Sequence, residues 1–354
     1  MVELRLRVLA AVMVLSTVAG SGSCSGAFVF EEATVDAIHA GFRNGSLTSE
    51  KLVQFYLGQI KRLNPQLRAV IEVNPDALWD AKRADRERRS LRLPRNMHGV
   101  PVLVKDWTTS PPRDAGVVAR LRSAGAVILG KTNPTEWSNF RVVDDGWSAR
   151  GGQTQNPYNL RVTPCGPIGR TVSDAVHLLD AIVGYDSLDE ATKAASKYIR
   201  REGYWQYLKT NGLKGKRIGV PDAFFDAKIL TVYEKHLKIM SDNGADVIKG
   251  LDISTDFRNL SIQDDIAMTA EFKSSLNAYL SDLNWKNVPK NSIVRSLADL
   301  IAFNENHREQ ERLADFGQDD LIKARAVSYN LEALCQVRNW ALQSMDDENK
   351  KQFI

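Results

Sequence analysis

An α/β fold with a helical C-terminal part is predicted by three features of this 354-residue sequence. The first is an apolar run, Val100-Pro101-Val102-Leu103-Val104, followed by a helical stripe and a second apolar run, Ala126-Val127-Ile128-Leu129. The second is the return of that alternation around Arg217-Ile218-Gly219-Val220 and Ala245-Asp246-Val247-Ile248. The third is that the patterns beyond these strands are helical. Strand, helix, strand implies parallel pairing, because a crossover is what lays two strands side by side in the same direction.

The elements follow in chain order. Val35, Ile38 and Phe42 fall at helical spacing, and Gly45 suits the helix end. Thr48 can cap a second helix with Leu52, Tyr56, Ile60 and Leu63 on one face, ending before Pro65. Ala69 to Val73 is rich in β-branched residues and reads as a strand, and a highly charged helix follows from about Asp76 to Arg89. The run from Val100 is continuous enough for a strand buried on both faces. Val117, Val118 and Leu121 form the crossover stripe, which stops at Gly125. Val172, Val176, Leu179 and Val183 mark a helix that ends at Gly184, and later helices are expected over 271–282, 293–312 and 330–345. From Trp137 to Pro167 Gly, Asn, Asp, Pro and Gln crowd out any apolar period, so a long structureless loop is expected there.

Composition narrows the function classes. With 43% hydrophobic and 25% charged residues the chain can bury a sizeable core. A formal charge of +4 is spread out, and no basic tract could neutralise a row of phosphates, so nucleic acid is not an expected partner. Arg5 and Arg7 precede an apolar run from Val8 to Val18 and then small residues, the order of a secretory signal peptide over 1–26. The expected endpoint is the secretory pathway, whether extracellular, vacuolar or endoplasmic reticulum, and no later stretch is apolar enough for a membrane span. The remainder, 27–354, reads as one domain, with an N-terminal part over 27–165 and a C-terminal part over 166–354.

Lys105 directly follows a strand, where open α/β sheets place reactive groups. A desolvated lysine there would serve as a general base, whereas Lys105 and Asp106 left in water would be a solvated strand end. Lys131 stands in the same relation to the second strand. His39, His98, His177, His236 and His307 show no metal-ligand spacing, and Cys24, Cys165 and Cys335 lie too far apart for a zinc knuckle, so neither metal nor cofactor is expected. Gly151-Gly152 and Gly166 to Gly169 do not follow a strand as a phosphate-cradling loop must, and read as turns. Asp144, Asp145 and Asp174 are no basis for a carboxylate pair.

Several longer segments resemble the amidase signature family, in particular its plant secretory-type members. They are His98-Gly-Val-Pro-Val-Leu-Val-Lys105-Asp106, the stretch from Pro112 to Lys131, Trp137-Ser138, Gly146-Trp-Ser-Ala-Arg-Gly-Gly152, Asn156-Pro157-Tyr158, and Gly166 to Gly184. The resemblance implies a mixed sheet flanked by helices and hydrolysis of carboxamide C–N bonds. It also implies a serine nucleophile, a relay serine in a cis peptide, and a lysine base at the end of the strand. By motif, Lys105 takes the lysine's role, Ser148, Gly151 and Gly152 fall in a segment that borders the substrate, and a small-molecule amide is the implied substrate. The sequence does not give the oligomeric state.

The pattern is incomplete. The family's Gly/Ser-rich tract should follow Cys165-Gly166, yet Pro167-Ile168-Gly169-Arg170 comes next, and no serine lies between Ser148 and Ser173. A second join falls at Asp106-Trp107, and the end at Ile354 is short by family standards. The expectation is therefore a fold lacking core segments and a form without ordinary amidase activity. Three readings stay open: an incomplete record of an active amidase, a non-catalytic binding or regulatory remnant, or a catalyst that recruits Ser148 or Cys165.

Overall fold

Threonines open the first two helices of the computed structural model, which describes residues 28–90, 97–105, 114–155, 169–221, 227–251, 257–283, 285–286 and 288–327. The expected leader, both joins, all three cysteines and the helix expected over 330–345 lie outside the described residues. Thr34 Oγ1 accepts the Ala37 N–H at 3.1 Å and starts α1, Val35–Asn44, which ends at Gly45 with φ 75°. Thr48 does the same for α2, Ser49–Leu67, through the Lys51 N–H at 3.2 Å. This helix does not stop before Pro65. In the last turn the ring forfeits a single backbone bond, and Asn64 organises the exit: its Oδ1 accepts from the N–H groups of Ala69 and Val70 at 2.9 and 2.8 Å.

The chain then forms β1, Val70–Val73, the charged α3, Ala77–Ser90, β2, Pro101–Lys105, α4, Gly116–Ser123, and β3, Val127–Thr132. Pairing follows the order β1-β3-β2, with β2 parallel and β1 antiparallel to β3, so the first sheet is mixed, as the resemblance implied. The expected burial of β2 on both faces is not what is found. Among the described residues this strand lies at the sheet's edge with Leu103 40% exposed, whereas β3 lies in the centre with Val127, Ile128 and Leu129 at 1%, 6% and 4%. Ala77 and Ala81 of α3 and Val53 of α2 close on Val127 and Leu129. Burial of each such valine or leucine is worth about 1.5–3 kcal/mol, which makes β3 the anchor of this half.

The segment expected to be a structureless loop is ordered as far as Gln155. It contains a 3-10 turn, Glu136–Asn139, and a short hairpin of β4, Trp147–Ser148, with β5, Gly152–Gln153. Residues 156–168 lie outside the described residues. Next comes α5, Val172–Ile182, opened by a capping box between Thr171 and Asp174. Asp174 also accepts the Val35 N–H at 2.6 Å, and Leu178 and Ala181 pack with Ile38, Leu47 and Val100. Thus α5 docks on the beginning of the chain.

After the short α6, Ala191–Ser196, a second strand–helix–strand unit consists of β6, Arg217–Pro221, α7, Ala227–Asp242, and β7, Asp246–Leu251. The strands pair in parallel as expected, in a sheet of their own. The helix expected from Glu271 begins earlier, as α8, Phe257–Asp282. The single helix expected over 293–312 is instead α9, Leu297–Asn306, a turn, and α10, Leu313–Phe316, followed by α11, Asp319–Ala326. Helical periodicity hid this break, because Glu311 and Gly317 leave the helical path to bond Arg141. Leu276, Leu280, Leu297, Leu300 and Leu321 form the core of this helical part, with Trp137 packed against it.

Candidate active site

Two lysines mark the C-terminal ends of the parallel strands β2 and β3. Val104 lies opposite Lys131 and Lys105 opposite Thr132, so the alternation of strand side chains sends Lys105 and Lys131 to opposite faces. Lys131 faces β1, with Nζ 3.3 Å from Glu72 Oε2, and Arg150 donates to the same oxygen at 3.0 Å. The Glu72 carboxyl is held below its ordinary value, chiefly by the Arg150 hydrogen bond and then by Lys131. Lys131 therefore belongs to an ion-pair group rather than to the face that carries Lys105.

Lys105 is exposed at the strand end, the solvated arrangement of the two weighed rather than the desolvated one, and its Nζ donates to Ser138 Oγ at 3.5 Å. Ser138 sits in the 3-10 turn, and both Trp137 and Ser138 have φ 50°, a left-handed conformation that residues with a Cβ seldom adopt. A hydroxyl beside an amine is the elementary unit of base-assisted nucleophilic attack. The sequence offered Ser138 within a matching segment but gave no reason to single it out, since it is 33 residues from Lys105.

Ser148 is placed differently. It is 3% exposed, its Oγ donates to Asn133 Oδ1 at 2.6 Å, and the same oxygen accepts the Gly151 N–H at 3.0 Å. Its hydroxyl is thus engaged in holding the hairpin. Asn133, the residue after β3, is the centre of this arrangement: its Nδ2 donates to Gly146 O at 3.1 Å, Gly152 O at 2.8 Å and Thr154 Oγ1 at 2.9 Å. Gly151 has no room for a side chain, since a Cβ would lie 2.4 Å from Asn133 Oδ1 and 2.7 Å from Ile71 Cγ2. Gly152, read from the sequence as a turn residue, is instead the first residue of β5, paired with Ser148, with φ 66°. Ser148, Gly151 and Gly152 are therefore brought together as one rigid hairpin at the end of β3, while Lys105 meets Ser138.

The turn and the hairpin are tied to the helical part by Arg141, which is 0% exposed. Its Nη1 donates to Glu136 Oε1 at 2.7 Å and Glu311 Oε2 at 2.8 Å, its Nε to Gly317 O at 2.9 Å, and its Nη2 to Glu311 O. Trp147 places its ring 5.7 Å from the guanidinium, and Glu136 Oε2 accepts the Ala149 N–H at 2.8 Å. Burial pushes the Glu311 carboxyl up, the neighbouring Glu136 adds to the rise, and Arg141 opposes it. Asn133 and Arg141 were both missed by sequence reasoning. Neither lies in a periodic pattern, and the partners of Arg141 are up to 176 residues away. Among the described residues no group of three or more His, Cys, Asp or Glu could hold a metal ion. No helix of the described residues is long and apolar enough to cross a membrane.

Comparison with known proteins places this geometry in context. The profile of the family described as Amidase matches residues 107–166. The "Probable amidase" of Arabidopsis thaliana is 39% identical over 423 aligned positions, covering 93% of this chain and 80% of that protein. The crystal structure of the native peptide amidase from Stenotrophomonas maltophilia superposes with a TM-score of 0.77 at 33% identity, over 88% of this chain and 79% of that one. An amidase family protein from Bacillus anthracis gives a TM-score of 0.75 at 26% identity, over 91% of this chain and 79% of its own.

Proposed function

This chain belongs to the amidase signature family, and from that premise we propose that Lys105 stands where the family's base stands, while the 354-residue form does not turn over carboxamides in the ordinary way. The family reaction adds water across a carboxamide C–N bond, through attack by a serine whose proton passes to a base. Lys105 ends a parallel strand at the sheet's C-terminal edge, where such a base is placed. The hairpin carrying Ser148, Gly151 and Gly152 forms a wall at the end of the neighbouring strand, suited to positioning a small amide.

One observation carries the proposed loss of activity. The family profile begins at Trp107 and stops at Gly166, the two positions where the sequence joins otherwise matching blocks. Beyond Gly166 the chain continues as Pro167-Ile168-Gly169-Arg170, with no serine until Ser173. Ser173 Oγ donates to Asp36 Oδ2 at 2.7 Å on the far contact between α1 and α5. The alignment with the plant relative supports the same reading: 423 positions draw on 93% of a 354-residue chain, so that relative carries stretches without a counterpart here. The sheets agree with it too, since among the described residues β2 has no strand on its outer edge and β6 and β7 pair separately. A sheet that lost strands between β2 and β6 would leave such edges.

The test is ammonia release from small carboxamides and, because a structural neighbour is a peptide amidase, from C-terminal peptide amides. The purified 354-residue chain is expected to release no more than its Lys105→Met variant. Lys105-dependent turnover would refute the proposed inactivity and leave the family assignment intact.

A further inference from the structure

On the reading proposed above the family's serine pair is missing, but Lys105 still has a hydroxyl beside it. We propose that Ser138 is a reactive nucleophile activated by Lys105, able to take an acyl group from a small activated ester. The inference rests on reading Lys105 as the family base.

Three observations converge on Ser138. Its Oγ is 3.5 Å from Lys105 Nζ, a contact made across 33 residues of sequence. Trp137 and Ser138 are consecutive residues at φ 50°, and two left-handed residues with side chains persist only where their surroundings hold them. Those surroundings are present: Trp137 packs on the helical core, and Glu136, the residue before, is fixed by the buried Arg141. Finally, Ser138 is exposed, so an electrophile can approach it, whereas the Ser148 hydroxyl is buried and engaged on both sides.

The step balances with no added reagent. Ser138 Oγ bonds to the ester carbonyl carbon as its proton passes to Lys105 Nζ. The C–O bond to the leaving alkoxide or phenoxide breaks, and the leaving oxygen takes the proton from Lys105. Water, deprotonated by the same amine, then releases the acid and restores Ser138. An activated ester is the fitting class because its leaving group departs with little help, which an incomplete site needs, whereas an amine leaving group requires proton delivery from a second group.

The experiment treats the full chain with a fluorophosphonate probe and with p-nitrophenyl acetate, and locates adducts by peptide mapping. The expected result is one adduct on the peptide bearing Ser138. It should disappear in Ser138→Gly, a variant that relieves the left-handed backbone and so preserves the fold. In Lys105→Met labelling should slow by about a hundredfold, the scale of a general base, while Ser173→Ala should label as the parent chain does. An adduct on another serine, no adduct on folded protein, or equal labelling in Lys105→Met would each overturn the proposal. These outcomes are independent of ammonia release. A chain that hydrolyses amides without a Ser138 adduct refutes both proposals, and one that is labelled at Ser138 without amide turnover supports both.

Discussion

The units β2-α4-β3 and β6-α7-β7 share a pattern, two apolar strands joined by an amphipathic helix, and the same parallel pairing. Their surroundings differ. In the first unit β3 receives β1 on its free edge and the alanine-lined face of α3 on one side, and Val127, Ile128 and Leu129 become almost wholly buried. In the second, Val220 alone among the described strand side chains is buried, and α7 leaves Leu230, Val232 and Ile239 at 45%, 57% and 46% exposure. A strand–helix–strand unit thus guarantees pairing but not a core. A core also requires elements from elsewhere in the chain to cover the sheet, which, among the described residues, the first unit has and the second lacks. The proposed site lies on the covered unit, where a fixed backbone can hold Lys105 against Ser138.

Arg141 offers the strongest way to break that comparison, because it fastens the turn beyond β3 to the helical part. Arg141→Met leaves Glu136 and Glu311 partly buried without their cation, and is expected to cost about 3–5 kcal/mol in denaturant unfolding. The loss should also depend on pH. Glu311 is pushed above its ordinary 4.5 by burial and Glu136, so its ionisation opposes folding as pH rises through the raised value, and removal of Arg141 pushes it further. The variant should therefore recover stability when acidified below that value. Equal destabilisation at all pH values would show that the cation's charge is not what matters.

The two units can be compared directly by truncation. Leu129→Ala in buried β3 should cost about 2–5 kcal/mol, and Ile248→Ala in half-buried β7 about 1 kcal/mol. Hydrogen exchange should rank their amides in the same order, with β3 the slower. Equal costs would mean that β6 and β7 are covered by some part of the protein beyond the described residues.

The smallest effect is expected where α5 returns to the first unit. The Asp36 carboxyl is held below its ordinary 3.8 chiefly by the Ser173 hydroxyl, and also by His177 and by the charge of His39. A depressed carboxyl stabilises the fold above its unfolded value and loses that contribution as pH falls through the folded one. Asp36→Asn should therefore flatten the acid limb of the stability profile below about pH 4 while leaving neutral pH little changed, since Asp36 is 61% exposed and largely screened. A variant whose acid limb matches the parent would show that α5 is held by Asp174 and apolar packing alone.

The sequence by itself determined the local elements: the helix start at Thr48, the stops at Gly45 and Gly125, and the parallel pairing of each unit. These follow from caps, turn residues and periodicity, all of which act within a few residues. The family and the position of Lys105 were legible as well, because the motif at the end of β2 is contiguous in sequence. Only the tertiary structure decided that β2 is an edge and β3 the centre, that Ser148 is bound to Asn133, and that Lys105 meets Ser138. It also decided that Glu311 and Gly317 bend the last helices toward Arg141. An apolar run states that a strand will be buried, not which neighbour covers it. A serine or an arginine has the same local signature whether its hydrogen-bond partner is water or a residue 176 positions away.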